Sequence, residues 1–147
     1  MITLLTYAGL FASSFLAATL LPFSSEAVLV TLLLTGHSPV PCIIIATLGN
    51  SLGGMSSYGL GYLGNLVWIE RYLRIEAKQI QRIRKQTTRF GSLLAFFSWL
   101  PVVGDVIAVA LGFFKVQPVG VAIYMLAGKA LRYIVIAVYT LYLQHMW

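Results

Sequence analysis

Two carboxylates stand where a chain this apolar would be expected to carry none. Glu26 closes a Pro-x-x-x-acid motif in TLLPFSSEAVLV, residues 19–30, and Asp105 closes another in SWLPVVGDVIAV, residues 98–109. A carboxylate in such a setting can bind and release a proton or balance a buried positive charge. Two bases match them in LAGKALRYIVIAV, residues 126–138: Lys129 and Arg132, three apart and so on one helical face. Arginine offers phosphate a planar two-pronged fork, whereas lysine acts as a point charge. The four side chains together carry no net charge. Two readings fit them: a transport site in which Lys129 and Arg132 attract an anionic headgroup while Glu26 or Asp105 handles a proton, or a set of structural ion pairs.

The elements that must position these groups are membrane elements. Hydrophobic residues make up 59% of the 147, charged residues 10%, and mean hydropathy is +0.88, the composition of one integral membrane domain. The N-terminus MITLLTYAGLF has no positive n-region and its apolar run continues past a signal-peptide core, so the first segment is expected to be retained. The single cysteine, Cys42, excludes an internal disulfide, and no Cys/His cluster offers metal ligands or calls for a cofactor. His37 and His145 lie far apart in the sequence and read as ordinary interfacial residues.

Apolar stretches cover 2–21, 27–35, 40–69, 91–114 and 118–147. A bilayer-crossing helix needs about 20 apolar residues. Stretches 40–69 and 118–147 qualify. Residues 27–35 do not, and Pro101 to Asp105 divides 91–114 into arms of about ten residues, each rising roughly 15 Å. Arms of that length predict re-entrant hairpins, whose irregular backbone must be buried in protein or line a wet cavity. At the turns of these hairpins, Pro22, Ser24 and Ser25 in the first and Pro101 and Gly104 in the second are expected mainly to break the helix or satisfy freed backbone groups.

The chain also repeats. At a shift of 79 residues, eleven positions between 11 and 52 are identical to their counterparts, including Leu21-Pro22 on Leu100-Pro101, Pro39-Val40 on Pro118-Val119 and Gly49 on Gly128. Chance would give about three in a composition this biased. Glu26 falls on Asp105.

Charge supplies the orientation. Residues 70–89, ERYLRIEAKQIQRIRKQTTR, hold seven Lys/Arg against two Glu, and apolar Tyr72, Ile75, Ile80 and Ile83 recur at near-helical spacing. The block is predicted to be an amphipathic cytoplasmic helix, about 70–90, lying on anionic headgroups rather than on nucleic acid. Repeat 1, about 2–69, and repeat 2, about 91–147, then become inverted copies of a hairpin plus a transmembrane helix, the architecture of many secondary transporters. A competing topology lets 4–21 cross completely and puts the N-terminus inside.

The run LGNSLGGMSSYGLGYLG, residues 48–64, places Gly49, Gly53, Gly61 and Gly64 at helical spacings, a smooth face for close packing or for substrate passage. Asn50 aligns with Lys129 in the repeat, and with Ser51 it either lines the site or bridges helices. Tyr62, Trp68 and Tyr72 on one side and Tyr139, Tyr142 and Trp147 on the other suit aromatic belts.

These motifs carry a resemblance. LLPFSSEAVL followed by the glycine-rich run resembles the DedA, or SNARE-associated (VTT domain), membrane proteins, and SWLPVVGDVIAVALGF with GKALRY is similar to their small YqaA-type branch. The resemblance covers about residues 10–140. It implies two re-entrant hairpins, a bacterial inner-membrane location, activity linked to the proton motive force, and flipping or scrambling of phospholipids or polyprenyl phosphates. By position, Glu26 is the acid of the first hairpin motif and Pro101 the proline of the second. Gly54 stands where the family usually has an acid, Tyr62 where it has the arginine of Gly-Arg, and Asp105 follows Gly104 where a Pro-Gly-x-Arg turn is usual. Lys129 and Arg132 can supply the positive charge from another helix.

The expectation is an all-α inner-membrane protein moving an anionic lipid or lipid-linked phosphate, with proton coupling an open option and no enzyme activity. A non-transporting scaffold is the alternative. Membrane lipids are the expected partners, and a protomer this small leaves room for a homodimer.

Overall fold

The computed structural model describes residues 1–18, 24–64, 78, 81, 82, 85, 91–100 and 103–146. Among them every regular element is helical: α1 (Ile2–Ala17), α2 (Ser24–Leu34), α3 (Pro39–Leu63), a short helical stretch at 91–94 continuing as a 3-10 helix (Ala95–Trp99), α4 (Val103–Phe113) and α5 (Pro118–Met146). Pro22 and Pro101 fall outside the described residues, as does most of the basic block. Of that block Lys78, Gln81, Arg82 and Lys85 are described, each helical and exposed.

Local sequence sets the helix limits. Pro39 and Pro118 open α3 and α5, where the proline ring fits the first turn and its missing N–H costs nothing. α2 and α4 end in the same Schellman turn. Gly36 N–H donates to the Leu33 carbonyl at 3.1 Å and His37 N–H to Leu32 at 3.0 Å, with Gly36 at φ +86°. Lys115 N–H donates to Gly112 at 2.9 Å and Val116 N–H to Leu111 at 3.1 Å, with Lys115 at φ +51°. Each residue of the second turn lies 79 positions after its counterpart in the first.

Among the described residues two helices are long and apolar enough to cross a membrane, α3 with 25 residues and α5 with 29. At 1.5 Å per residue they rise about 37 and 43 Å, enough for a hydrocarbon core of about 30 Å. The others have 16, 11 and 11 residues.

Packing divides the molecule into two apolar cores. Leu10, Leu29, Leu33, Cys42, Ala46, Tyr133 and Ala137 form one, from α1, α2, the first half of α3 and the second half of α5. Tyr58, Ala95, Ala108, Leu111, Val116, Val121 and Met125 form the other, from the second half of α3, the 3-10 helix, α4 and the first half of α5. α3 and α5 therefore run antiparallel. The partners are also exchanged: α1 packs on α3 and the 3-10 helix on α5, while α2 reaches α5 and α4 reaches α3. Three glycines of the 48–64 run, Gly49, Gly53 and Gly61, are buried as the spacing predicts. Gly64 is exposed, because α3 stops at Leu63 and leaves it as the cap.

Candidate functional site

A polar layer lies between the two cores. On α5 it occupies the stretch between Met125 and Tyr133, and on α3 the stretch between Ala46 and Tyr58, so the same two helices that carry the apolar clusters also carry the charges.

Among the described residues Lys129 is the most enclosed charge. It is 2% exposed, and its Nζ donates to the Asn50 backbone carbonyl at 2.6 Å. Asn50 is 79 residues before Lys129, so the two repeat-equivalent positions touch. The Asn50 side chain turns the other way and donates from Nδ2 to the Ser14 carbonyl at 3.0 Å, bridging α3 to α1. Gly54 leaves the room that Lys129 fills: a Cβ there would stand 2.8 Å from the ammonium nitrogen. Gly54 thus faces the lysine as bare backbone. Asp105, half-buried in the first turn of α4, lies within electrostatic reach of Lys129.

Arg132 sits one turn further along. Its Nη2 makes an ion pair with Glu26 Oε1 in the first turn of α2, and its Nη1 donates to the Trp99 carbonyl at 3.0 Å. One guanidinium therefore ties α5 to both short segments. The arginine is 14% exposed and the glutamate 31%, so the pair keeps one open side.

Ser25 is 2% exposed and shares a hydrogen bond with the Tyr133 hydroxyl at 3.0 Å. The expected role, satisfying freed backbone groups at the turn, gives way to a side-chain link, because Ser25 already lies inside α2 and faces α5. Gly104 is buried against the Ser98 carbonyl, and its N–H bonds Leu100 at 2.9 Å. Ser24 opens α2; its side chain and the prolines 22 and 101 lie outside the described residues. Ser51 is 7% exposed, and among the described residues its hydroxyl and those of Thr47 and Ser98 have no hydrogen-bond partner. Unpartnered buried hydroxyls cost about 1–3 kcal/mol each, and Thr47 and Ser51 stand on the same stretch of α3 as Asn50.

Sequence reasoning missed Tyr133, the Trp99 carbonyl, Thr47 and Ser98. Tyr133 had a visible signal, standing next to Arg132 in GKALRY. A backbone carbonyl acting as a ligand has none. The histidines stay outside the layer: His37 bonds Thr35 Oγ1 at 3.1 Å and edges against Tyr7, and His145 is exposed near the end of α5. Among the described residues no three His, Cys, Asp or Glu gather as a metal site. Of the aromatic-belt residues, Tyr62, Tyr139 and Tyr142 are exposed, and Trp68, Tyr72 and Trp147 lie outside the described residues.

No family model matches the chain, and no solved structure does. Curated proteins do. Inner membrane protein YqaA of Escherichia coli K12 is 39% identical over 140 residues, covering 95% of this chain and 94% of its own, and the Shigella flexneri protein of the same name matches equally. An uncharacterized protein of Haemophilus influenzae is 34% identical over 133 residues, covering 85% of this chain and 81% of its own. Near-complete coverage at this identity, with two helices of crossing length, leads to one conclusion: the chain belongs to the YqaA family of inner membrane proteins.

Proposed function

We propose that the chain translocates an anionic lipid or lipid-linked phosphate between the leaflets of the inner membrane, as a member of the wider DedA (SNARE-associated, VTT-domain) group. In this reading α1 and α2 form a hairpin that enters from outside and returns, and residues 91–113 form its inverted copy entering from the cytoplasm. The basic block 70–90 then lies on the cytoplasmic headgroups. The paired Schellman turns, the exchanged packing partners and the shortness of α1, α2 and α4 support the inverted repeat.

The observation that carries the reading is Lys129. An ammonium in the middle of a crossing helix costs about 2.5–3.5 kcal/mol by insertion scales, and Lys129 is spent there with one carbonyl in reach. Its remaining donors, the Ser51 and Thr47 hydroxyls and the open side of Arg132 suit the oxygens of a phosphate headgroup. Glu26 and Asp105 are the counter-ions and the candidates for proton handling.

The test is translocation of a fluorescent phosphatidylglycerol and of a polyprenyl phosphate in vesicles carrying the purified protein. Lys129→Gln, Arg132→Ala, Glu26→Gln and Asp105→Asn are expected to slow the movement about tenfold or more, the worth of one charge-assisted hydrogen bond. Folded variants that all run at the parent rate overturn the assignment. The scaffold reading also has its own observation: Arg132 clamps α5 to Glu26 and to Trp99, as a purely structural tie would. That reading wins if the parent moves neither lipid and Arg132→Ala merely destabilises.

A further inference from the structure

Beyond the polar layer, the surface carries an open apolar groove of about 620 Å³ between α2 and the last third of α5. Val30 and Leu34 form one wall, and Val135, Ile136, Tyr139 and Leu143 the other, with Thr140 and Gln144 the polar members. We propose that this groove holds one hydrocarbon chain of a membrane phospholipid, its tip at Val30 and Val135 and its headgroup end beside Gln144.

Three observations carry this. First, the groove has a direction. On α2 the residues Glu26, Val30 and Leu34 follow at i, i+4 and i+8, and on α5 Arg132, Ile136, Tyr139 and Leu143 follow at i, i+4, i+7 and i+11, so both walls start at the ion pair and run toward the end of α5. Second, the length fits. Eleven residues of helix separate Arg132 from Leu143, a rise of about 16 Å, and half of a hydrocarbon core is about 15 Å. Third, the lining between the two ends is mainly apolar. Val135 at 59% and Leu34 at 54% expose apolar wall, and Gln144 is the polar lining residue nearest the end of the crossing helix, where headgroups lie. The volume falls within the 300–1,000 Å³ typical of sites for a single small ligand. The proposal rests on α5 crossing the membrane and not on translocation, so it can fail while the transport reading stands, or hold while that reading fails.

The probe is phosphatidylglycerol with a nitroxide deep in one chain, in vesicles containing the purified protein, its motionally restricted fraction read by electron spin resonance. The parent is expected to restrict about one additional lipid per protomer relative to Val135→Trp or Leu34→Trp, which fill the groove, with binding weakened about tenfold or more in each. Leu141→Trp, one to two turns beyond Val135 on the opposite face of α5, is expected to behave as the parent. Circular dichroism confirms that each variant is helical, and the two filling variants lie on different helices so that one suffices if the other fails to fold. Equal restricted fractions in parent and filled variants overturn the proposal. So does efficient disulfide formation between copies carrying Val135→Cys, which would put a second protomer in the groove. Translocation rates measured on the same vesicles test the transport reading separately.

Discussion

Two seams in this molecule occupy equivalent places in the repeat and are built in opposite ways. Where α4 meets α3, Gly61 lies on the Val109 carbonyl and Gly112 on the Tyr58 carbonyl, so close that a Cβ at either would strike the backbone of the other helix. The Tyr58 hydroxyl adds a bond to the Val116 carbonyl at 2.6 Å. Where α2 meets α5, the positions 79 residues away from those glycines are Thr140 and Leu33. There the groove opens, and beside the buried core that Leu29 and Leu33 share with Tyr133 and Ala137 the contact carries two polar links, Glu26 with Arg132 and Ser25 with Tyr133. A glycine seam is sealed by dispersion and backbone contact over its length, while a seam joined by two polar links can part when those links exchange partners. The fold thus has one fixed joint, closed glycine on backbone, and one open joint whose apolar core is supplemented by polar links.

The largest expected effect attacks the fixed joint. Gly61→Leu or Gly112→Leu forces α3 and α4 apart and is expected to cost about 3 kcal/mol or more, the upper range for overpacking. Thr140→Leu, its repeat equivalent at the open joint, grows into the groove and is expected to cost within about 1 kcal/mol. Thermal unfolding in detergent decides: equal losses at the two sites would erase the contrast.

Next comes the polar link. Arg132→Ala leaves Glu26 without its cation and frees the Trp99 carbonyl, an expected loss of roughly 2 kcal/mol given the partial exposure of the pair. Ser25→Ala removes a neutral bond and is expected to cost about 1 kcal/mol. Hydrogen exchange should place the added opening in α2 and leave α4 protected. Opening spread evenly over both helices would mean the two joints are coupled.

How far this contrast was legible beforehand depends on the kind of feature. Pro39 and Pro118 announce the helix starts, because proline geometry is costly enough to leave a mark in sequence, and the shift of 79 relates the two Schellman turns. The glycine run reads correctly as a packing face for Gly49, Gly53 and Gly61. The asymmetry between the seams does not read, since it depends on Gly112 meeting Tyr58 while Leu33 takes the equivalent place, a tertiary pairing with no local signature. Arg132 was visible as a candidate, but its hold on the Trp99 carbonyl was not, because every residue has a carbonyl.

At Lys129, where α5 meets α3, one substitution is expected to separate stability from function. Replacing a buried charge by an apolar side chain of similar length is often neutral or stabilising, so Lys129→Met is expected to change stability by less than about 1 kcal/mol in either direction. Lipid movement is expected to stop. A large destabilisation with movement intact would assign Lys129 to the architecture and move the working part of the molecule elsewhere.

The smallest effects fall at the two Schellman turns, which isolate backbone conformation from packing. Both sites need a left-handed residue, and the first has Gly36 while the second has Lys115. A side chain in that conformation costs roughly 1 kcal/mol, so Gly36→Ala is expected to lose about that much. Lys115→Gly removes the same strain but also frees the unfolded chain and gives up the contact of the ammonium with the Tyr62 ring, 5.0 Å from its centroid. The gain should therefore shrink to a few tenths of a kcal/mol. If Lys115→Gly destabilises by as much as Gly36→Ala does, the lysine is held by its ring contact more firmly than its backbone resists, and the two turns, identical in hydrogen bonding, differ in what keeps them closed.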